Sequence, residues 1–172
     1  MDALSLRELQ TPLKQRYRTE PATARTPVVA QSDFRDEGIT CTVDTWAGPV
    51  RAGLHTATGG DGNDACSGDM LLEAVLACAG VTLRSVATSM GVDIGSATLR
   101  AESAFDARGT LAVDRQATVG LEQIVVRIEL DCDADDAALE RLATATERYC
   151  VVGQSLRESP RFLLTRRSPA GS

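Results

Sequence analysis

Aromatic side chains are scarce in this chain of 172 residues: three Phe, two Tyr and one Trp, or 3% of the sequence. A core must therefore rest on Leu, Val, Ile and Ala. Few rings remain to stack exposed bases, which argues against a single-strand nucleic-acid platform. Excess positive charge is also missing. Lys and Arg number 18 against 24 Asp and Glu, a net charge of −6, and the largest basic cluster is Arg166-Arg167 near the C-terminus. Such a surface repels phosphate backbones, so no nucleic-acid partner is expected. There is one histidine, His55, and no serine-elbow motif, so a Ser-His-Asp hydrolase has little support. No Cys-x-x-Cys or His-x-x-x-His spacing occurs, and neither a metal nor another cofactor is expected.

Long hydrophobic runs are absent too. The longest uncharged apolar run, Ala74 to Leu83, is about half a membrane span, so no membrane partner is expected. The first residues, Met1-Asp2-Ala3-Leu4-Ser5-Leu6-Arg7-Glu8, lack the basic and apolar regions of a secretory signal. The expectation is a soluble, cytoplasmic protein. Five cysteines cannot all pair internally, and a reducing compartment disfavours structural disulfides. Packing explains most of them, and reactivity is left for one or two.

What is present is ordinary globular composition, 43% hydrophobic and 24% charged, at a single-domain length. Residues 1–27 read as an N-terminal helical arm, with Leu6, Leu9, Leu13 and Tyr17 at roughly helical spacing. Pro12 interrupts the pattern, and Pro21 and Pro27 end it. A helix this short does not stand alone, so it is expected to pack on the main body or on a partner subunit.

The main domain is expected over residues 28–172. Ile39, Cys41 and Val43 alternate with polar residues as a strand, Trp46-Ala47-Gly48-Pro49 supplies a turn, and Val50 to Leu54 returns. A glycine-rich loop follows from His55 to Gly68. It lacks the Lys-Ser/Thr of a phosphate loop, so its glycines read as tight-turn residues. Asp69 opens a helix to about Met90, with Gly91 as its stop. Apart from Asp69, Glu73 and Arg84 this helix is apolar on nearly every side, which predicts enclosure all round. One small domain can scarcely wrap it, and a dimer is expected.

Beyond it, Leu99, Ala101, Ser103 and Phe105 alternate as a strand, and Arg108-Gly109 turns into Leu111-Ala112-Val113. Ile124, Val126, Ile128 and Leu130 form the clearest strand face of the chain. Asp131 or Asp133 is expected to cap a second helix whose buried stripe is Leu139, Leu142, Ala143, Thr146, Tyr149 and Cys150. Gly153 is expected to end it, and Arg161 to Thr165 is a last strand. Strands, helix, strands, helix, strand spell an α+β fold with a mainly antiparallel sheet.

A cysteine inside a buried helix is usually inert packing, because desolvation holds it as a thiol. On composition alone this describes Cys78. Cys150 lies on a core face near a helix C-terminus, where the dipole opposes a thiolate.

The segments Ser67-Gly68-Asp69-Met70-Leu71-Leu72-Glu73-Ala74-Val75-Leu76-Ala77-Cys78 and Glu147-Arg148-Tyr149-Cys150-Val151-Val152 nevertheless form a pattern. Preceded by the glycine-rich loop, they resemble the OsmC/Ohr family of osmotically inducible and organic hydroperoxide resistance proteins, over roughly residues 38–165. The resemblance implies an intertwined α+β homodimer, with mainly antiparallel sheets packed on two long central helices. It implies thiol-dependent reduction of organic hydroperoxides, with Cys78 as peroxidatic nucleophile and Cys150 as resolving thiol. Asp69 matches the family's acidic position and Arg51 its arginine, with Arg148 and His55 as other candidate donors. His55, Gly60, Met70 and Glu73 are then candidate substrate-binding residues. Val151 stands where the family has proline. A lipoyl-type dithiol is the implied reductant.

Attack on a peroxide needs a thiolate, which a nearby guanidinium can support against desolvation. The resulting sulfenic acid condenses with a second thiol before over-oxidation. The competing expectation is a small-molecule or lipid-binding, or redox-sensing, protein on the same scaffold without turnover.

Overall fold

A computed structural model describes residues 1–167; the last five residues of the expected 28–172 domain, with the C-terminal end of its polar tail, lie outside the described residues. The chain forms α1 (Ala3–Thr19), β1 (Gln31–Asp33), β2 (Thr40–Thr45), β3 (Gly48–Gly53), β4 (Ala65–Cys66), α2 (Ser67–Met90) and β5 (Ser96–Ala104). Then come α3 (Ala107–Thr110), β6 (Glu122–Asp131), α4 (Asp136–Tyr149), α5 (Val151–Gln154) and β7 (Arg161–Arg166), and the α+β expectation holds. Two compact units emerge. The first gathers Met1–Pro27, Val75–Ala101 and the chain from Val125 on; the second holds Val28–Ala74 and Glu102–Ile124.

In the first unit, strand β6 is the centre of a sheet ordered β5-β6-β7. Its alternation is as expected: Ile124, Val126, Ile128 and Leu130 are buried. β7 runs parallel to β6, Val126 opposite Phe162 and Ile128 opposite Leu164. A parallel neighbour cannot be reached by a tight turn, and α4 with α5 makes the crossover. Helix α4 starts where the Asp135 carboxylate accepts from the Ala138 N–H at 2.6 Å. The cap is thus Asp135, not the expected Asp131 or Asp133; β6 keeps Asp131 as its last residue.

The core joins Val75, Ala79, Leu83 and Ala87 of α2 to Val126, Ile128 and Leu130 of β6, Leu139 and Leu142 of α4, Cys150 and Phe162. Apart from Phe162 it is aliphatic and sulfur, as the scarcity of rings demanded. Leu142 is fully buried. Leu142→Ala is expected to lower unfolding free energy by about 2–5 kcal/mol, read as a lower urea midpoint at unchanged slope.

Several expectations are corrected. Pro12 sits inside α1 without ending it, and α1 buries no residue. Pro12 is the tenth of the seventeen residues of α1, so the helix runs on without the N–H bond that this position would donate to the Glu8 carbonyl. Helix α2 buries one stripe only, Val75, Ala79, Leu83 and Ala87. A single chain supplies neighbours to one side, and Val81 on another face remains 74% exposed. At 24 residues, with a mean hydropathy of 1.6 over an 18-residue stretch, α2 is also long and apolar enough to cross a membrane by length and composition. This corrects the expectation that no stretch reaches that length: the ten-residue uncharged run is only the middle of a longer apolar helix. Leu111-Ala112-Val113 is not a strand; the Asp106 carboxylate caps the helical turn α3 instead. Helix α4 ends at Tyr149, ahead of Gly153, with Cys150 in extended conformation joining it to α5.

The second unit carries a sheet ordered β1-β2-β3-β4. β2 and β3 form the expected hairpin, Thr45 opposite Gly48 across the two-residue turn Trp46-Ala47. Gly48 takes φ 123, a conformation costly for any residue with a Cβ. The buried residue of β2 is Thr42, not the expected Ile39, Cys41 and Val43 face; its hydroxyl donates to Asp36 at 2.6 Å.

Candidate functional site

Cys78 lies on α2, off the buried stripe, and is half-buried. Cys150 is fully buried at the end of α4. They are 72 residues apart by number, yet the fold of the first unit brings them close enough for each to shift the other's ionisation. The extended backbone at Cys150 (φ −71, ψ 97) turns the chain, so that the following N–H groups face α2. The Val152 N–H donates to Cys78 Sγ at 3.5 Å. The Thr82 hydroxyl, one helical turn beyond Cys78, and the Val151 N–H also act on this thiol, and both lower it.

These donors decide the electrostatics. Burial alone pushes the Cys78 thiol up. Against it act the Val152 N–H, the Cys150 thiol, the Thr82 hydroxyl and the Val151 N–H, and their sum holds Cys78 below the ordinary cysteine range. Cys150 goes the other way. Burial pushes it up, the neighbouring Cys78 adds to the rise, and the Gly153 and Val152 N–H groups only partly offset them. Of the two thiols, Cys78 is thus the one that ionises more readily. Burial is the largest single influence on Cys78, and the groups that outweigh it together are neutral donors.

Gly153 packs against this pair. A Cβ there would lie 3.3 Å from Cys150 Sγ and from Pro160 Cδ, so any larger residue pushes on the sulfur. Sequence reasoning did not find Thr82, Val152 or Gly153. Thr82 had a signal in its i+4 spacing from Cys78; backbone N–H groups have none.

The other candidates are placed elsewhere. Arg51 on β3 is paired with Asp64, which precedes β4, and this pairing raises its pKa. His55 caps a 3-10 turn through Nδ1, which accepts from the Ala57 N–H at 3.0 Å, and its ring meets Phe105 edge-on at 5.2 Å. A Cβ at Gly60 would run into the Leu54 carbonyl, so this glycine serves a close backbone approach. Asp69 and Glu73 are exposed on α2, and Met70 is half-buried. Arg148 stacks on Tyr149 at 5.8 Å from the ring centroid. A cavity of about 330 Å³ in the first unit is lined by Gly80, Leu83, Arg84, Ala87, Ile94 and Leu99 among others, but by neither cysteine of the pair. Among the described residues no group of three or more His, Cys, Asp or Glu is placed to hold a metal.

A family model described as OsmC-like protein matches residues 60–165, which takes in the glycine loop from Gly60 on, both cysteines and β7 as far as Thr165. The chain belongs to the OsmC-like family. Solved structures share the OsmC-like fold at low identity. An OsmC-like protein from Mycoplasma pneumoniae is 11% identical with a TM-score of 0.64, over 83% of this chain and 96% of its own. An organic hydroperoxide resistance protein from Elizabethkingia anophelis is 15% identical with a TM-score of 0.64, over 84% of this chain and 99% of its own. An OsmC-like protein of unknown function from Vibrio cholerae is 10% identical with a TM-score of 0.64, over 83% and 100%. No curated protein matches the chain. The OsmC-like fold is thus nearly complete in this chain, which also carries residues that those structures lack.

In this OsmC-like chain the hydroxyl of Thr82 is the donor most open to test. Thr82→Val is expected to move the pH midpoint of Cys78 alkylation upward, while Thr82→Ser leaves it in place. The rate of iodoacetamide labelling against pH reads both. Below the midpoint the thiolate fraction falls about tenfold per pH unit.

Proposed function

We propose that this protein reduces organic hydroperoxides through Cys78 and Cys150. The observation that carries the proposal is the pair itself: a sulfur that accepts from the Val152 N–H and is held below the ordinary cysteine range, beside a second thiol held above it. In the first step the Cys78 thiolate attacks the terminal oxygen of R–O–OH. An S–O bond forms and the O–O bond breaks, leaving Cys78 as a sulfenic acid. The leaving alkoxide takes a proton, which the Cys150 thiol can supply, and departs as an alcohol.

The two pKa shifts put the steps in order. While Cys78 is a thiolate, its charge helps hold Cys150 protonated. Once Cys78 is a neutral sulfenic acid that cause is gone, and the Gly153 and Val152 N–H groups act on Cys150 with burial as the remaining opposition. The Cys150 thiolate then attacks Cys78 sulfur, an S–S bond forms, and hydroxide leaves as water. A dithiol of the lipoyl type returns both thiols by exchange and is itself oxidised to a disulfide. All five cysteines are unbridged as described, the state in which the cycle begins and the one a reducing cytoplasm maintains.

The active unit is a homodimer. Val81 and Val151, 74% and 72% exposed, and Tyr149 flank the cysteines on α2, α4 and α5. A second copy covering this apolar surface dries the approach to Cys78, and a dry approach favours alkyl over hydrogen peroxide. The neighbour from Elizabethkingia anophelis, an organic hydroperoxide resistance protein, supports the same substrate class.

Purified protein is expected to consume cumene hydroperoxide catalytically with dihydrolipoamide as reductant. One equivalent of hydroperoxide without reductant should convert Cys78 and Cys150 to a disulfide, seen in the peptide map. Failure of both overturns the proposal. The cavity beside Leu83 and Leu99 favours the second reading, a small-molecule-binding protein. That reading gains only if ligands bind there and no peroxide is turned over.

A further inference from the structure

Cys150 has no exposed surface, and two of its neighbours show how tightly it is held. Its backbone joins α4 to α5: the Cys150 N–H donates to the Thr146 carbonyl at 3.0 Å, and the Cys150 carbonyl accepts from the Gln154 N–H at 2.9 Å. The turn so closed brings Gly153, three residues on, to the side of the Cys150 side chain. Gly153 is buried, and so is Pro160, which leads into β7. A Cβ at Gly153 would lie 3.3 Å from Cys150 Sγ, 3.6 Å from Cys150 Cβ and 3.3 Å from Pro160 Cδ. Gly153 thus separates a sulfur from a rigid ring and has no side chain of its own to put between them.

Space is what calls for glycine here. Its φ lies outside the left-handed region, so its backbone conformation is open to other residues. In a helical turn glycine is less stable than alanine, so local propensity argues against it as well. An added methyl group would force a neighbour to give by a few tenths of an ångström. Pro160 is fully buried and rigid, so the displacement falls on Cys150 Sγ. That sulfur must move during the cycle. A disulfide brings the two sulfurs to about 2 Å, inside the contact distance of free thiols, and Cys150 turns about its Cα–Cβ bond to close it. Burial raises the Cys150 thiol, and the Gly153 N–H is first among the groups that lower it. Alanine keeps that N–H, so Gly153→Ala changes the space alone.

We infer that Gly153 is a positioning residue for resolution: with no side chain between Cys150 and Pro160, it leaves Cys150 Sγ free to turn onto the Cys78 sulfenic acid. It thereby sets how long that acid survives. The inference rests on the hydroperoxide reading of the cysteine pair. In the step concerned Cys150 gives up its proton and attacks the Cys78 sulfur. The S–S bond forms, the S–O bond breaks, and the hydroxide leaves with that proton as water. While it waits, the sulfenic acid is open to a second hydroperoxide, which oxidises it to sulfinic acid and departs as alcohol. The room at Gly153 therefore governs how much excess peroxide the protein tolerates.

The test compares full-length Gly153→Ala with the wild type in a single turnover, using one equivalent of cumene hydroperoxide and no reductant. Hydroperoxide loss reads the attack by Cys78, and peptide mapping after an acid quench reads the disulfide. The first rate is expected to stay as it is. Disulfide formation should slow about tenfold, part of the roughly 100-fold that a misplacement of about 1 Å can cost. Under excess dithiol, the hydroperoxide concentration that half-inactivates the variant should fall by the same factor, because over-oxidation competes with resolution. In Gly153→Ala/Pro160→Ala the methyl group can shift into the space of the ring, and disulfide formation should return to the wild-type rate. Equal disulfide rates for Gly153→Ala and wild type overturn the inference. So does a variant that slows both steps alike, which marks a general loss of packing, or a double variant as slow as the single one. These outcomes leave the cysteine reading intact. A wild type that neither consumes hydroperoxide nor forms the disulfide overturns that reading, and the role of Gly153 falls with it.

Discussion

Cys78→Ser is expected to abolish hydroperoxide consumption, with a loss of about 1000-fold or more in the second-order rate. Serine keeps the shape of the side chain and the contact with the Val152 N–H. It cannot keep the charge: four neutral donors that lower a thiol are far too weak to ionise an alcohol near neutral pH. Sulfur is also the more polarisable nucleophile toward oxygen. The measurement is cumene hydroperoxide loss under excess dithiol, with near-identical circular dichroism for variant and wild type. A variant that retains even a tenth of the wild-type rate removes Cys78 from the chemistry and leaves the binding-protein reading.

The second large effect is expected from Cys150→Ser. This variant should perform one round of peroxide reduction and stop, so product equals enzyme while the wild type cycles many times. The stalled species is a Cys78 sulfenic acid, captured by dimedone and driven to sulfinic acid by further peroxide. The physical reason is the lost partner. Cys150 is the cysteine that acts on Cys78; Cys41 and Cys66 belong to β2 and β4, and Cys132 follows the end of β6. A Cys150→Ser protein that cycles at the wild-type rate would show that an external thiol resolves Cys78 directly, and would strip Cys150 of its role.

Much of the fold was legible along the chain. The alternation of Ile124, Val126, Ile128 and Leu130 states a buried strand face, and each of these residues is buried. Gly91 marks the end of α2 and takes φ 71 there. The stripe of α4 was legible for Leu139, Leu142 and Thr146 but not for Tyr149, which is 60% exposed. Periodicity tells which residues share a face and not how far the covering element extends. The caps were misplaced for a related reason. Asp131, Asp133 and Asp135 are equally good cap residues, and the choice depends on where β6 lets go.

The glycine loop shows a second kind of limit. Its glycines were readable as turn residues, and Gly60 bears this out through its approach to the Leu54 carbonyl. The partner of Arg51 was not readable, since Asp64, Asp61 and Asp36 all surround it and sequence distance does not rank them. Asp64 holds it, because β3 and β4 run side by side.

The sequence by itself determined the α+β alternation, the aliphatic core, the long apolar helix and the two motifs that mark the OsmC-like family. These depend on local spacing and on residue type, which a linear chain records. Only the tertiary structure decided that Cys78 and Cys150 come close enough to act on each other, which of the two ionises more readily, and that Thr82, Val151 and Val152 act on Cys78. Those facts arise from backbone N–H groups and from desolvation at a meeting of two distant segments. Every residue but proline has the same N–H, so its presence in the sequence says nothing until the fold gives it a direction.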